Sequence, residues 1–385
     1  MKAADSLIQL QTLQTTLFTL LENCAVEDVA QQFHPDLSPL GWHLGHCVLT
    51  ETYWLREIVM GQKMISDEHK QLYIPELSVK SRRSAFLPAQ AELCQWAEAT
   101  QKQNIDYLLE LENEPTSSPL MKDNYLLFFL GQHYAQHIET TAYVLTQRNL
   151  RQDQTFQVNS ALIAEPLRQN FVEVAQAKHK LGAQNPLSHY DNECPEIIVE
   201  LDSFAIAIEP VSNAGFLNFI QTDGYQRREF WSDEGWLWSK EHSVKQPQHW
   251  RVDDKEKFYG TDKMGAYELN GDQAVSGLSY YEAQALAKFA GAALPHEYQW
   301  EAAKNLDSLS NYGQVWEWCS NSLHPYLGFK AFPYDGYSLP WFDDNHFTLR
   351  GHSKYTSPLI KRDSFRNFYE ADKRHFPAGV RLLAM

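Results

Sequence analysis

The chain changes character near residue 150, and that change limits what it can fold into. Before it, apolar residues recur at the helical period. Residues 6–21 carry a stripe at Leu7, Leu10, Leu13, Leu17 and Leu21. Residues 42–60 continue it through Leu44, Cys47, Val48, Trp54 and Ile58, and residues 89–111 and 125–146 complete four long helical segments. Turn-rich stretches separate the first two at residues 33–39 and precede the fourth at residues 114–119. Four such helices predict a bundle, a fold whose interior commonly hosts metal ligands on facing helices.

After residue 150 the pattern breaks up. Residues 151–190 read as a polar connector, with a helical stretch at 167–179 just after Pro166. From Ile197 to Ile208 the alternation is that of strands broken by a turn. Residues 280–289 form a helix stopped by Gly291, and residues 296–304 form another opened by Pro295. Long loops such as 321–345 are where a binding surface can be built. The expected fold class is therefore α+β, with a helical domain over 1–150, the connector over 151–190 and an irregular α/β domain over 191–385.

At 385 residues the chain is long enough for two cores, and its 43% hydrophobic and 21% charged residues are those of a globular protein. A net charge of −16 argues against a nonspecific grip on nucleic acid. The apolar run 17–21 is too short to be a signal or a membrane span. The five cysteines, Cys24, Cys47, Cys94, Cys194 and Cys319, are widely spaced with no CxxC. A reducing cytoplasm is the expected location. Oligomeric state is left open.

The segment Gly131-Gln-His-Tyr-Ala-Gln-His-Ile-Glu139 places His133 and His137 four residues apart. On a helix both imidazoles share one face. A third ligand is on offer from His43 or His46 in Gly41-Trp-His-Leu-Gly-His-Cys47. Three histidines suit Fe, Zn, Ni or Cu, and ligand type alone does not choose among them. The spacing by itself is more often that of a half-buried surface pair than of a metal site.

Ordered motifs span the second region: Pro210-Val-Ser-Asn-Ala-Gly-Phe216, Ser279-Tyr-Tyr-Glu-Ala283, and Phe289-Ala-Gly-Ala-Ala-Leu-Pro-His-Glu-Tyr-Gln-Trp-Glu301. Gly313-Gln-Val-Trp-Glu-Trp318, Leu349-Arg-Gly-His-Ser353, Phe365-Arg-Asn-Phe368 and Ala378-Gly-Val-Arg-Leu382 follow. This region resembles the formylglycine-generating, or sulfatase-modifying-factor, fold, which is C-type-lectin-like. The first region resembles the DinB-like four-helix bundle. Together they resemble the EgtB-type nonheme iron sulfoxide synthases of ergothioneine biosynthesis over nearly the whole chain, with selenoneine synthases as near relatives. That family uses dioxygen to join a thiol to an imidazole carbon of hercynine, N-alpha-trimethylhistidine.

The resemblance implies Fe(II) on His46, His133 and His137, with His43 either orienting these ligands or merely packing. It implies Gln136 and Asn367 at the hercynine head, aromatic surface from Phe368 and Tyr369, and Arg82 and Arg83, beside Lys80, toward the thiol carboxylates. It implies a tyrosine as proton donor during dioxygen reduction, for which Tyr326 is preferred to Tyr334. The site is expected to draw on both regions. Glu139 and Glu51 are placed outside the ligand set, Glu139 at a second helix, in solvent or at a cap.

Three departures bear on function. Users of gamma-glutamylcysteine carry an acidic residue where this chain has Tyr369, so cysteine or a selenium donor such as a selenosugar also fits. His352 replaces a glycine of the usual Arg-Gly-Gly-Ser. The paired C-terminal cysteines of copper-binding formylglycine-generating enzymes are missing, which counts against sulfatase activation. The expected partners are hercynine, a small thiol or selenol, and O2. The alternatives are a selenoneine-type synthase or a noncatalytic binding protein stabilised by metal.

Overall fold

The computed structural model describes residues 3–63, 67–113, 117–152, 155–167 and 169–385. Two compact units divide it: Met1–Arg151 with Ser357–Ile360, and Gln152–Thr356 with Lys361–Met385.

The first unit is helical. Its principal helices are α1 (Ala3–Glu22), α2 (Leu40–Thr52), α3 (Asp67–Tyr73), α4 (Gln90–Asn113) and α5 (Tyr125–Arg151). The four long segments read from the apolar period are α1, α2, α4 and α5. The turn expected at 114–119 lies partly outside the described residues, at 114–116.

Leu7, Leu10, Leu17 and Leu21 are buried as the stripe predicts. Each such leucine contributes about 1.5–3 kcal/mol. Gln14 shares that buried face because its Nε2 donates to Glu51 Oε2 at 2.8 Å. Glu51 in turn accepts from Asn104 Nδ2 and Tyr134 Oη, each at 2.8 Å, so this fully buried carboxylate is enclosed by donors from three helices.

The stripe fails at one place. Beyond Thr52 the helix widens into a π-helical stretch, Tyr53–Val59. The wider turn advances the register, so Arg56 points inward to Asn104 and Ile58 is exposed. A period of 3.6 had placed Ile58 inside.

The second unit is built on small sheets. Strands β1 (Phe171–Val174), β4 (Phe204–Ala207), β8 (Ala292–Ala293) and β13 (Leu383–Ala384) form one sheet in the order β1-β4-β13-β8. Strands β9 (Trp316–Ser322), β10 (His346–Gly351), β11 (Asn367–Glu370) and β12 (Ala378–Gly379) form another, ordered β11-β10-β9-β12. A hairpin pairs β2 (Ala177–Leu181) with β3 (Ile197–Leu201), and β5 to β7 lie within Trp250–Tyr267.

The helix expected at 167–179 is absent among the described residues, and Arg168 lies outside them. The stretch is instead β1 and the start of β2. Val172 and Val174 suit a strand, and antiparallel pairing of Phe171–Val174 with Phe204–Ala207 overrides weak local helical preference.

The two expected helices are present. Tyr280–Phe289 starts on a Ser279/Glu282 capping box and ends before Gly291, whose φ of +63° suits glycine. Glu297–Asn305 takes His296 as its cap. Between them and the sheets sit Trp300, Trp316 and Trp318, all fully buried.

Glutamates and arginines of the ordered motifs pair inside this unit. Arg366 grips Glu297 with Nε and Nη2 at 2.8 and 2.7 Å. Arg381 grips Glu317 at 2.7 and 2.9 Å, and Arg350 bonds Glu301. Glu317 also accepts from Trp300 Nε1 at 2.6 Å. Removing one partner strands a buried charge, which typically costs about 3–5 kcal/mol. Glu317→Ala is therefore expected to destabilise the second unit by about that amount, measured as a lowered denaturation midpoint. A loss within experimental error would show the pair to be dispensable.

Candidate metal centre

Helices α2 and α5 bring the histidines together. His46 Nε2 and His133 Nε2 are 3.1 Å apart. One turn along α5, the His137 ring centre lies 4.5 Å from that of His133 and 4.8 Å from that of His46. One ligand atom from each of the three lies within 4.8 Å of the others. Two imidazole nitrogens bonded to one ion at about 2.1 Å sit roughly 3.0–3.4 Å apart. The His46–His133 spacing fits that geometry, and the donor set is all neutral nitrogen.

Local structure orients His46. Its Nδ1 lies 2.7 Å from the Tyr73 carbonyl, so Nδ1 carries the proton and Nε2 keeps its lone pair. Trp42, one turn earlier, stacks on the ring at 4.6 Å with planes 8° apart and donates Nε1–H to the neighbouring Leu72 carbonyl at 2.8 Å. Two adjacent carbonyls at the end of α3 thus receive two rings of α2. Gly45 permits this approach, since a Cβ there would stand 2.1 Å from the Tyr73 ring.

Burial keeps the imidazoles neutral. It holds His43 down at about 3 and His46 at about 4, and lowers His133 and His137 well below the ordinary histidine range. Neighbouring imidazoles and the Arg83 cation add to the effect for His43 and His137. Neutral imidazole is the form that binds a metal.

His43 does more than pack, since its Nδ1 lies 2.9 Å from His137 Nδ1. Glu139 is neither in solvent nor a cap. It is buried and accepts from Tyr143 Oη at 2.5 Å. Glu51 lies in the core network, and the group that fixes the His46 tautomer is a backbone carbonyl rather than a carboxylate.

Gln136 is half-buried, next to His137 on α5. Arg82 is exposed and lines a cavity of about 490 Å³ with Glu68, Leu72 and Phe86. Arg83 is buried, with its guanidinium 3.8 Å from the centre of the Trp42 ring and bonded to Ser38 Oγ and the Ser78 carbonyl. Those contacts hold it behind Trp42.

In the second unit, Asn367 Oδ1 accepts from Phe368 N at 3.0 Å. Phe368 packs beside Trp341 and His346. Tyr369 stacks on Phe376 at 3.9 Å. Tyr326 is 2% exposed beneath Arg366, and its hydroxyl has no hydrogen-bond partner among the described residues. Burial raises its pKa, so it stays protonated. Tyr334 is 40% exposed. His352 lies over Gly313, where a Cβ would meet its ring at 1.9 Å, so a glycine in another motif accommodates the departure.

Sequence reasoning missed Trp42, Gly45 and Tyr73 as parts of the centre. Trp42 was legible as the residue one turn before His46. Tyr73 acts through its carbonyl, which has no sequence signature.

Residues 9–141 match the DinB superfamily, and residues 163–312 match the sulfatase-modifying factor enzyme 1-like domain. The chain is 30% identical to a hercynine oxygenase of Mycobacterium tuberculosis over 405 aligned positions, covering 91% of this chain and 92% of that one. It is 28% identical to a hercynine oxygenase of Mycolicibacterium thermoresistibile, covering 92% and 89%. Ergothioneine biosynthesis protein 1 of Schizosaccharomyces pombe is 24% identical, covering 91% of this chain and 52% of that protein. No described helix is long and apolar enough to cross a membrane.

The buried imidazoles make stability depend on pH. His43 and His46 stay neutral when folded, whereas unfolding lets them take protons below about 6.5. The unfolded state then binds more protons, so stability falls as pH drops from about 6.5 toward 4. Each of the two contributes up to about 1.4 kcal/mol per pH unit. Metal-free protein scanned by circular dichroism should melt lower at pH 5 than at pH 7, and His46→Gln should flatten that slope. An unchanged slope in the variant would refute the assignment.

Proposed function

The chain belongs to the hercynine oxygenase family, and from that premise we propose that it uses Fe(II) and O2 to join hercynine to a small thiol, giving a sulfoxide in ergothioneine biosynthesis. One observation carries the reading: three neutral imidazoles converge in the helical unit of a chain that matches the family over nine-tenths of its length. The net conversion balances. Thiol, hercynine and O2 give the C–S-linked sulfoxide and one water, with one oxygen atom in each product.

His46, His133 and His137 would hold Fe(II). Three protein ligands leave further positions open, and iron held there supplies activation of dioxygen next to the thiol.

The remaining residues bind, orient and move protons. We assign Gln136 and Asn367 to the hercynine head. A quaternary ammonium has no proton to donate, so it is recognised by aromatic faces and oxygen dipoles. Phe368, with Trp341 beside it, offers such a face. We assign Arg82, exposed near the likewise exposed Lys80, to a thiol carboxylate, since Arg83 is held behind Trp42. Tyr369, which stacks on Phe376, stands where users of gamma-glutamylcysteine carry an acidic residue, and that departure favours cysteine over gamma-glutamylcysteine.

Tyr326 is the proposed proton donor. A buried hydroxyl without a partner calls for a functional account, and its raised pKa keeps the proton available.

An aerobic assay with Fe(II), reductant and hercynine would offer cysteine, gamma-glutamylcysteine and a selenosugar in parallel, read by product mass. Cysteine is expected to give the sulfoxide. No consumption of hercynine with any donor would reject the acceptor, and turnover with the selenosugar alone would move the reading to C–Se chemistry. His137→Ala should lose more than about 100-fold in turnover, exceeding the usual loss from a residue outside the ligand set. Tyr326→Phe should keep metal binding and thermal stability but slow sulfoxide formation by about 100-fold or more. An unchanged rate would transfer the role to Tyr334.

A further inference from the structure

His43 stands outside the ligand set yet touches it. Its Nδ1 is 2.9 Å from His137 Nδ1, it is 3% exposed, and its Nε2 makes no hydrogen bond among the described residues. A buried nitrogen left unpaired costs about 1–3 kcal/mol, so the arrangement calls for a reason.

Tautomer logic supplies one. Between two neutral imidazoles meeting at Nδ1, one proton is shared, and one ring donates it. If His43 donated, the His137 Nδ1 lone pair would be occupied and its proton would sit on Nε2. Neither nitrogen of His137 would then be free for a metal. If His137 donates, its Nε2 is bare and aimed by the bond. His43 must then carry its own proton on Nε2, the atom that lacks a partner.

We propose that His43 is a positioning residue that accepts a hydrogen bond from His137 Nδ1–H and so fixes the ligand tautomer and ring orientation of His137. This rests on the metal-centre reading above. It gives two of the three ligands a defined acceptor: the Tyr73 carbonyl for His46 and His43 for His137. His133 Nδ1 has no hydrogen-bond partner among the described residues. A histidine in place of the usual carboxylate or carbonyl keeps the acceptor uncharged, in keeping with a pocket that excludes charge.

The test uses the full chain and Co(II) as a spectroscopic divalent ion. His43→Leu removes the acceptor. His43→Asn keeps one, because the amide oxygen overlays the Nδ1 position. The leucine variant should bind Co(II) about 10- to 100-fold more weakly, the usual loss when such a partner is removed. The asparagine variant should recover most of that loss and restore the absorption band of bound Co(II). Unchanged Co(II) affinity in the leucine variant, or equal loss in both, would overturn the role.

A second measurement needs no substitution. Nitrogen-15 shifts of histidines in the Zn(II)-loaded protein should show Nδ1–H on His137 and Nε2–H on His43. Metal on His137 Nδ1 would overturn the proposal even if the leucine variant fails to fold. Parent protein that takes up neither metal would reject the metal-centre reading itself, and this role with it.

Discussion

The packing of Leu40–Thr52 against Tyr125–Arg151 is the contact on which the candidate centre depends. It sets His46 Nε2 and His133 Nε2 3.1 Å apart. Bringing several imidazoles into a dry interior is unfavourable unless something compensates. Part of the compensation is structural: Trp42 and His46 bond to consecutive carbonyls of Leu72 and Tyr73, and Gly45 admits the Tyr73 ring. The remainder would come from a divalent ion, were one held by the lone pairs that burial keeps free of protons.

The second unit solves a different problem. Its sheets are short, so regular backbone pairing supplies only part of its rigidity. Three buried arginine–glutamate pairs, Arg350–Glu301, Arg366–Glu297 and Arg381–Glu317, tie helix, strand and loop together. Such pairs are weak evidence of net stability, because desolvation offsets much of the attraction. Wrong packing, however, would leave a charge stranded, which selects one arrangement. The residues that carry the family resemblance in this unit are largely these pairing residues and the tryptophans beside them. They identify the fold strongly and the chemistry only indirectly.

Function is therefore divided unevenly over the chain. The helical unit holds the three histidines that could bind a metal and the groups behind them. Under the proposed reaction, Asn367, the Phe368 face and the Tyr326 hydroxyl of the second unit would also take part. The departures from the family pattern have local accommodations: His352 lies over Gly313, and Tyr369 stacks on Phe376.

The sequence by itself determined the helical unit, the pairing of His133 with His137 on one helix face, and the family. An apolar stripe of period 3.6 is a local property, and so is the placing of two histidines one turn apart. It could not show that the π-helical stretch turns Ile58 outward, because that register shift depends on Arg56 reaching Asn104 on another helix. Nor could it show that residues 171–174 are a strand, since their pairing partners lie at 204–207. The acceptors behind the ligands were decided by tertiary structure alone. A backbone carbonyl at Tyr73 belongs to every residue type, and the meeting of His43 with His137 spans 94 residues. Orientation of a ligand ring is set by whatever lies behind it, and only the folded chain puts those atoms there.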